Sequence, residues 1–127
     1  KHINIIYEKI FKKYGLQRGQ FAFITRIVEN KNINLKQLAQ NIRVDKATVT
    51  KAMQKLEESG YVIKKIDQTD NRIIHLLPTE KCTRIYTCII QEKNQLLSSI
   101  INKFTSKELE LYISITRDIN ICLDKIR

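Results

Sequence analysis

Apolar residues recur along the chain every three to four residues in most stretches, and a short central part rich in β-branched and aromatic residues interrupts that pattern, so that the change marks out the elements. Ile3, Ile6, Tyr7, Ile10, Phe11 and Tyr14 fall at helical spacing, predicting a helix over 2–14 that Gly15 ends. A second helix is expected over 17–29, with Phe21, Ile24, Ile27 and Val28 inward and Phe23 outside that stripe. After a loop at 30–32, Leu35, Leu38, Ala39 and Ile42 mark a short helix that opens on Asn34, with Gln37 placed to complete a capping box. The next helix starts after Asp45, whose carboxylate caps it and meets the positive end of its dipole. Val49, Ala52, Met53 and Leu56 form its inward stripe, and Gly60 supplies the left-handed residue that stops it. Two helices this short, joined by a tight turn and too short to stand alone, are a helix-turn-helix.

The residue types then change to those of strands. Residues 61–66 and 72–77 are rich in β-branched and aromatic types, and 67–71 is turn chemistry throughout, which gives a β-hairpin. Pro78 cannot continue an interior strand and marks the exit. A helix-turn-helix followed by such a hairpin is a winged helix. A long helix is expected from Thr79 to about Phe104, with Ile85, Ile89, Leu96, Leu97, Ile100 and Ile101 among its apolar positions. Thr105 to Glu108 matches a capping box and opens a last helix carrying Leu109, Tyr112, Ile113, Ile119, Leu123 and Ile126. The fold class is therefore mainly α with a minor β part. It is a winged helix-turn-helix core at 17–78 inside a single chain of 1–127, with outer helices at 1–16 and 79–127. Those outer helices carry more apolar surface than a winged helix of this size can cover, so a twofold homodimer is expected to bury it.

With its stripe turned inward, the helix after Asp45 presents Lys46, Ala47, Thr48, Thr50, Lys51, Gln54 and Lys55 outward, with no acid among them. These types suit the DNA major groove: Lys for phosphate or guanine, Gln for adenine or phosphate, Thr hydroxyls for the backbone, and Ala and Thr methyls for thymine. An ordinary solvated helix face has the same polarity. The capped helix before it and the hairpin after it favour the groove. A net charge of +10 and a pI near 9.7 add the expectation of a polyanionic partner, whether nucleic acid, a membrane surface or an acidic protein. That charge is spread, with +5 over 1–33, +3 over 34–79 and +2 over 80–127, so the local patch is the helix face together with Lys64, Lys65 and Arg72.

At 127 residues and 15.0 kDa the chain is one domain's worth. Cys82, Cys88 and Cys122 have no C-x-x-C spacing, and buried, inert thiols in a reducing compartment are expected. No apolar run approaches the roughly 18 residues of a membrane span, so no membrane partner is expected. A chain opening on Lys1 leaves a removed leader open, and the cytoplasm is the expected compartment. The two histidines, His2 and His75, come without G-x-S-x-G, Walker or H-E-x-x-H motifs, so no catalysis and no cofactor are expected. A metal sensor would need His75, Cys82 and Glu80 to converge, which no spacing demonstrates, and no metal is assigned.

Three stretches, in this order and spacing, resemble the MarR (multiple antibiotic resistance regulator) family of transcription factors. They are LKQLAQNIRVDKATVTKAMQKLEESGYV from Leu35 to Val62, Asp70-Asn71-Arg72, and Pro78-Thr79-Glu80-Lys81. The resemblance runs essentially end to end, although many members have Gly where this chain has Cys82. It implies a homodimer whose first and last helices interlock and whose winged helices meet successive major grooves of a roughly palindromic operator in double-stranded DNA. By position, Asp70 would pair with or orient Arg72, and Arg72 would enter the minor groove or grip its phosphates. A hairpin-turn ion pair of little weight is the plainer account of those two residues. The resemblance further implies a repressor released by a small-molecule effector, with Phe11, Tyr14 and Phe21 the candidates to line its cleft and core packing the simpler account of each. Two other classes stay open: a winged helix that binds protein rather than an operator, and one that binds RNA.

Overall fold

The computed structural model describes residues 2–126. In chain order the elements are α1 (His2–Lys13), α2 (Arg18–Glu29), α3 (Leu35–Ile42), α4 (Lys46–Glu58), β1 (Val62–Ile66), β2 (Ile74–Pro78), α5 (Glu80–Ile101) and α6 (Ser106–Ile126). This is the expected winged helix-turn-helix, helical but for one antiparallel hairpin. The chain divides into two compact units, Lys1–Glu92 and Lys93–Arg127.

The first unit is held by one apolar cluster to which every element in it contributes. Phe11 of α1, Ile24 and Ile27 of α2, Leu38 of α3, Met53 and Leu56 of α4, Val62, Leu76, and Cys82 and Ile89 of α5 are all buried. The core therefore reaches beyond 17–78 at both ends. Helix α2 packs against α1, α3 and β2. A helix covered on several sides buries more than one stripe, which is why Phe23, expected to fall outside, is buried along with Phe21.

Helix ends follow the local chemistry. Asn34 Oδ1 accepts from the Gln37 backbone N–H at 2.8 Å, and Gln37 Oε1 accepts from the Asn34 N–H at 3.0 Å. Helix α4 ends as a Schellman motif: Gly60 N–H donates to Glu57 O at 3.0 Å and Tyr61 N–H to Leu56 O at 2.8 Å, with Gly60 at φ +78°. Helix α3 ends on Arg43, also left-handed at φ +63° although it carries a side chain.

In the hairpin, Val62 pairs with Pro78 and Ile66 with Ile74. Strand β2 thus starts two residues later than expected and includes Pro78, which sits at the very end of the ladder where its missing N–H costs little. The delay comes from the wing loop, which runs on through Ile73: Asp67 N–H donates to Ile73 O at 2.9 Å and Ile73 N–H to Asp70 O at 3.0 Å. On the other side of β2, Leu76 N–H donates to Ile33 O at 2.8 Å and Asn34 bridges His75, so the α2–α3 segment acts as a third partner of the sheet.

Helix α5 begins one residue after Thr79, whose Oγ1 accepts from Cys82 N–H at 3.2 Å. It stops at Ile101, short of 104, because residues 102–104 turn back onto the carbonyls of Ser98, Ile100 and Ile101. Thr105 and Glu108 form the expected reciprocal box at the start of α6. No side chain of α6 is buried, and Tyr112 and Ile126 are 70% and 81% exposed.

Leu56→Ala should lower stability by about 2–5 kcal/mol, seen as a lower urea midpoint with an unchanged slope. Ile66→Ala, at an exposed wing position, should change it by no more than about 0.5 kcal/mol.

Candidate nucleic-acid interface

The rotation of α4 about its axis decides what it shows to a partner. Val49, Met53 and Leu56 are fully buried and Ala52 is half-buried. Lys46, Ala47, Thr48, Thr50, Lys51, Gln54 and Lys55 are all exposed, as their spacing requires. Asp45 anchors the start of this face: Oδ1 accepts from Thr48 N–H at 2.9 Å and Oδ2 from the Thr48 hydroxyl at 2.6 Å. Those two bonds hold the Asp45 carboxyl below the usual carboxylate range. They also use the Thr48 hydroxyl proton and leave its oxygen able to accept. The Thr50 hydroxyl donates back to Lys46 O at 2.8 Å. Gln54 Nε2 donates to Glu58 Oε1 at 3.1 Å. Its carbonyl oxygen and second amide proton remain, the pair that an adenine edge requires. Among the described residues no carboxylate forms an ion pair with Lys46, Lys51 or Lys55.

At the wing, Asp70 grips Arg72 through three bonds. Oδ1 accepts from the Arg72 backbone N–H at 2.9 Å and from Nε at 3.1 Å, and Oδ2 accepts from Nη2 at 3.1 Å. The guanidinium holds Asp70 below its ordinary pKa, yet the Arg72 side chain is 91% exposed and presents its remaining protons outward. Lys64 departs from the expected patch. Its Nζ lies 3.0 Å from Glu57 Oε2 and ties β1 to α4, so Lys65 and Arg72 are the exposed cations of the hairpin.

The possible metal ligands do not assemble. His75 Nδ1 lies 2.8 Å from Asn32 O and Nε2 2.7 Å from Asp67 Oδ1, so both ring nitrogens are committed. Cys82 is sealed in the core, where burial pushes its thiol up to about 11. The expectation of buried thiols holds for Cys82 alone: Cys88 is half-buried and Cys122 is exposed on α6.

The start of α5 fastens the end of α4, a link the sequence did not suggest. The Thr79 hydroxyl donates to Gly60 O at 2.6 Å and Lys81 Nζ to Ser59 O at 2.8 Å, with Nζ also 4.6 Å from the centre of the Tyr61 ring. A cation and a hydroxyl here meet carbonyls at the negative end of the α4 dipole.

Packing accounts for two of the three effector candidates. Phe11 and Phe21 are buried and stacked, with ring centroids 4.8 Å apart, and Phe21 stacks on Tyr86 in turn. Tyr14 is half-buried and donates its hydroxyl to Glu92 at 2.7 Å. A cleft of about 500 Å³ opens nearby, lined by Glu8, Lys12, Gly15, Leu16, Gln17 and Arg18, and none of the three aromatic residues lines it.

Comparison with known proteins agrees with the fold. The MarR family model matches residues 16–74. The chain is similar to the HTH-type transcriptional regulator YybA of Bacillus subtilis, 37% identical over 100 residues that cover 79% of this chain and 67% of that protein. It is also similar to the HTH-type transcriptional regulator BilQ of Clostridioides difficile, 27% identical over 98% of this chain and 86% of that one. Among solved structures, a MarR protein from Peptoclostridium difficile superposes with a TM-score of 0.80 at 40% identity, covering 98% of this chain and 81% of that one. Streptococcus pneumoniae FabT, solved in complex with DNA, shares the fold with a TM-score of 0.83 at 17% identity, over 99% and 95% of the two chains. Among the described residues no helix is long and apolar enough to cross a membrane.

Asp45→Ala should lower the thermal midpoint at neutral pH. Because the folded Asp45 pKa is depressed, its contribution is complete above the unfolded value, about 3.9, and is lost as pH falls through the folded one. The difference between wild type and variant should therefore close in acid. A gap that stays constant down to about pH 2 would assign the effect to something other than this carboxylate.

Proposed function

The chain belongs to the MarR family of DNA-binding transcriptional regulators, and we propose that it acts as a homodimer on a roughly palindromic operator, as a repressor released by a small effector. The observation that carries the DNA half of this reading is the exposed face of α4, which bears Lys51, Gln54 and Lys55 and whose acid, Glu58, lies at its last turn bonded to Gln54, next to a wing on which Asp70 presents Arg72. Lys46, Lys51 and Lys55 neutralise phosphates. Gln54 reads a base edge, while Ala47, Thr48 and Thr50 supply methyl and hydroxyl contacts. Arg72 enters the adjacent minor groove or holds its phosphates, with Asp70 setting its direction.

The dimer half rests on uncovered apolar surface. Ile3, Ile5 and Ile6 of α1 are exposed, as are Leu111, Ile113, Ile119 and Leu123 of α6. Surface of this kind on a lone chain favours association, and a second copy covers like with like. In this reading 17–78 is the DNA-binding core, the flanking helices are the dimer arms, and the protein works in the cytoplasm. Release by an effector is carried into this reading from the family, and Phe11 and Phe21, stacked on each other, serve the core.

Lys55→Ala should weaken binding to every duplex and flatten the dependence on salt by about one ion. Unchanged affinity and slope would remove Lys55 from the interface. Gln54→Ala should relax preference at one base position; equal weakening on all sequences would move Gln54 to phosphate duty. In sedimentation, the wild type should run at twice the 15.0 kDa chain mass, and Leu123→Arg should shift it toward monomer. A wild type that sediments as a monomer at micromolar concentration would overturn the dimer.

A further inference from the structure

Both ring nitrogens of His75 meet atoms that can only accept. Nδ1 lies 2.8 Å from the Asn32 carbonyl and Nε2 lies 2.7 Å from Asp67 Oδ1. A neutral imidazole has one N–H and can satisfy one of them, whereas the imidazolium has two and satisfies both. The two acceptors also belong to different parts of the molecule. Asn32 lies in the α2–α3 segment, at a left-handed φ of +60°, and Asp67 opens the wing loop.

From Asp67 the contacts continue outward. Its Oδ2 accepts from Thr69 N–H at 3.0 Å, the Thr69 hydroxyl at 2.7 Å and Asp70 N–H at 3.1 Å, and Asp70 in turn grips Arg72. We infer that His75 is the positioning residue of the wing: as an imidazolium clamped between Asn32 and Asp67, it fixes the loop that carries Arg72 relative to the helix-turn-helix, and so tunes the affinity for DNA. The inference rests on the reading of Arg72 as a DNA contact.

The charged groups that face the ring are Asp67, from the wing loop, and Lys65, its cross-strand partner on β1; the α2–α3 segment meets it with the neutral Asn32 carbonyl. The hydrogen bond to Asp67 outweighs the nearby Lys65 and holds His75 above the ordinary histidine value, while His75 holds Asp67 well below the carboxylate range. A raised pKa on a base means that the clamp is complete below the unfolded value, about 6.5, and opens as pH rises through the folded one. Asp67 stays ionised throughout, so the histidine alone switches.

The test uses the full chain and a duplex selected from random-sequence DNA at about pH 6, with affinity measured from there to about pH 9. Wild-type affinity should fall about tenfold across that range, the size of one charge-assisted hydrogen bond partly replaced by water. His75→Gln, whose two N–H groups sit on one nitrogen and cannot take the places of both ring nitrogens, should bind weakly at both ends with no step. Arg72→Ala should also lose the step, because the clamp acts through Arg72; a step that survives in Arg72→Ala would mean that the His75 charge acts on DNA directly and would overturn the inference.

The clamp can also be read without DNA. With only two histidines in the chain, ring-proton NMR should give a His75 titration above the ordinary value that drops in Asp67→Asn. An ordinary His75 value in the wild type, or equal wild-type affinity at both ends of the range, overturns the inference while leaving the operator reading intact. A wild type that retards no duplex at any pH defeats the operator reading instead, and the NMR titration still decides whether the clamp exists.

Discussion

Burial of Val49, Met53 and Leu56 fixes the roll of α4, and the roll of α4 fixes everything the protein can offer a partner. These three side chains are fully inaccessible on a 13-residue helix otherwise made of Lys, Thr, Gln, Glu and Ala. A helix turns about 100° per residue, so a slip of one position would bring Thr50 or Gln54 into the core and drive an apolar side chain into water. No single contact on the outer face sets its direction; the core does. That core is shared, since α3 and α4 are each too short to persist unsupported and meet only because Leu38, Ile24 and Leu76 fill the same space.

What could be read in the sequence is what is written within four residues. The Asn34–Gln37 box, the Asp45 cap, the Gly60 stop, the Thr105–Glu108 box and the Asp70–Arg72 pair all involve neighbours in sequence, and each is present. The inward stripes of α2, α3 and α4 were legible for the same reason. The misses come from contacts that cross the chain. Phe23 is buried because α2 has cover on several sides, which depends on where α3 and β2 lie. Lys64 left the basic patch because the turn after α4 brings it onto Glu57. Strand β2 starts late because two aspartates tie up the wing loop. In the sequence His75 could be weighed only as a scattered residue or as a metal ligand with Cys82 and Glu80, since its partner Asn32 is 43 residues away and becomes a neighbour through the pairing of the α2–α3 segment with β2.

The two units differ in how far they satisfy themselves. In the first, sixteen apolar side chains form one cluster, and among the described residues no buried side-chain polar atom lacks a partner. In the second, α6 has a capped start and a regular apolar repeat but no buried side chain at all. A 21-residue helix with that repeat is specified by its sequence as a helix, yet its apolar side chains still face solvent.

The join between α4 and α5 has a mechanical meaning. Thr79 and Lys81 hold the carbonyls of Gly60 and Ser59, and the Lys81 ammonium sits over the Tyr61 ring. The last turn of one helix and the first turn of the next therefore behave as a stiff elbow. Turning the start of α5 against the end of α4 would break two hydrogen bonds and a cation–π contact at once.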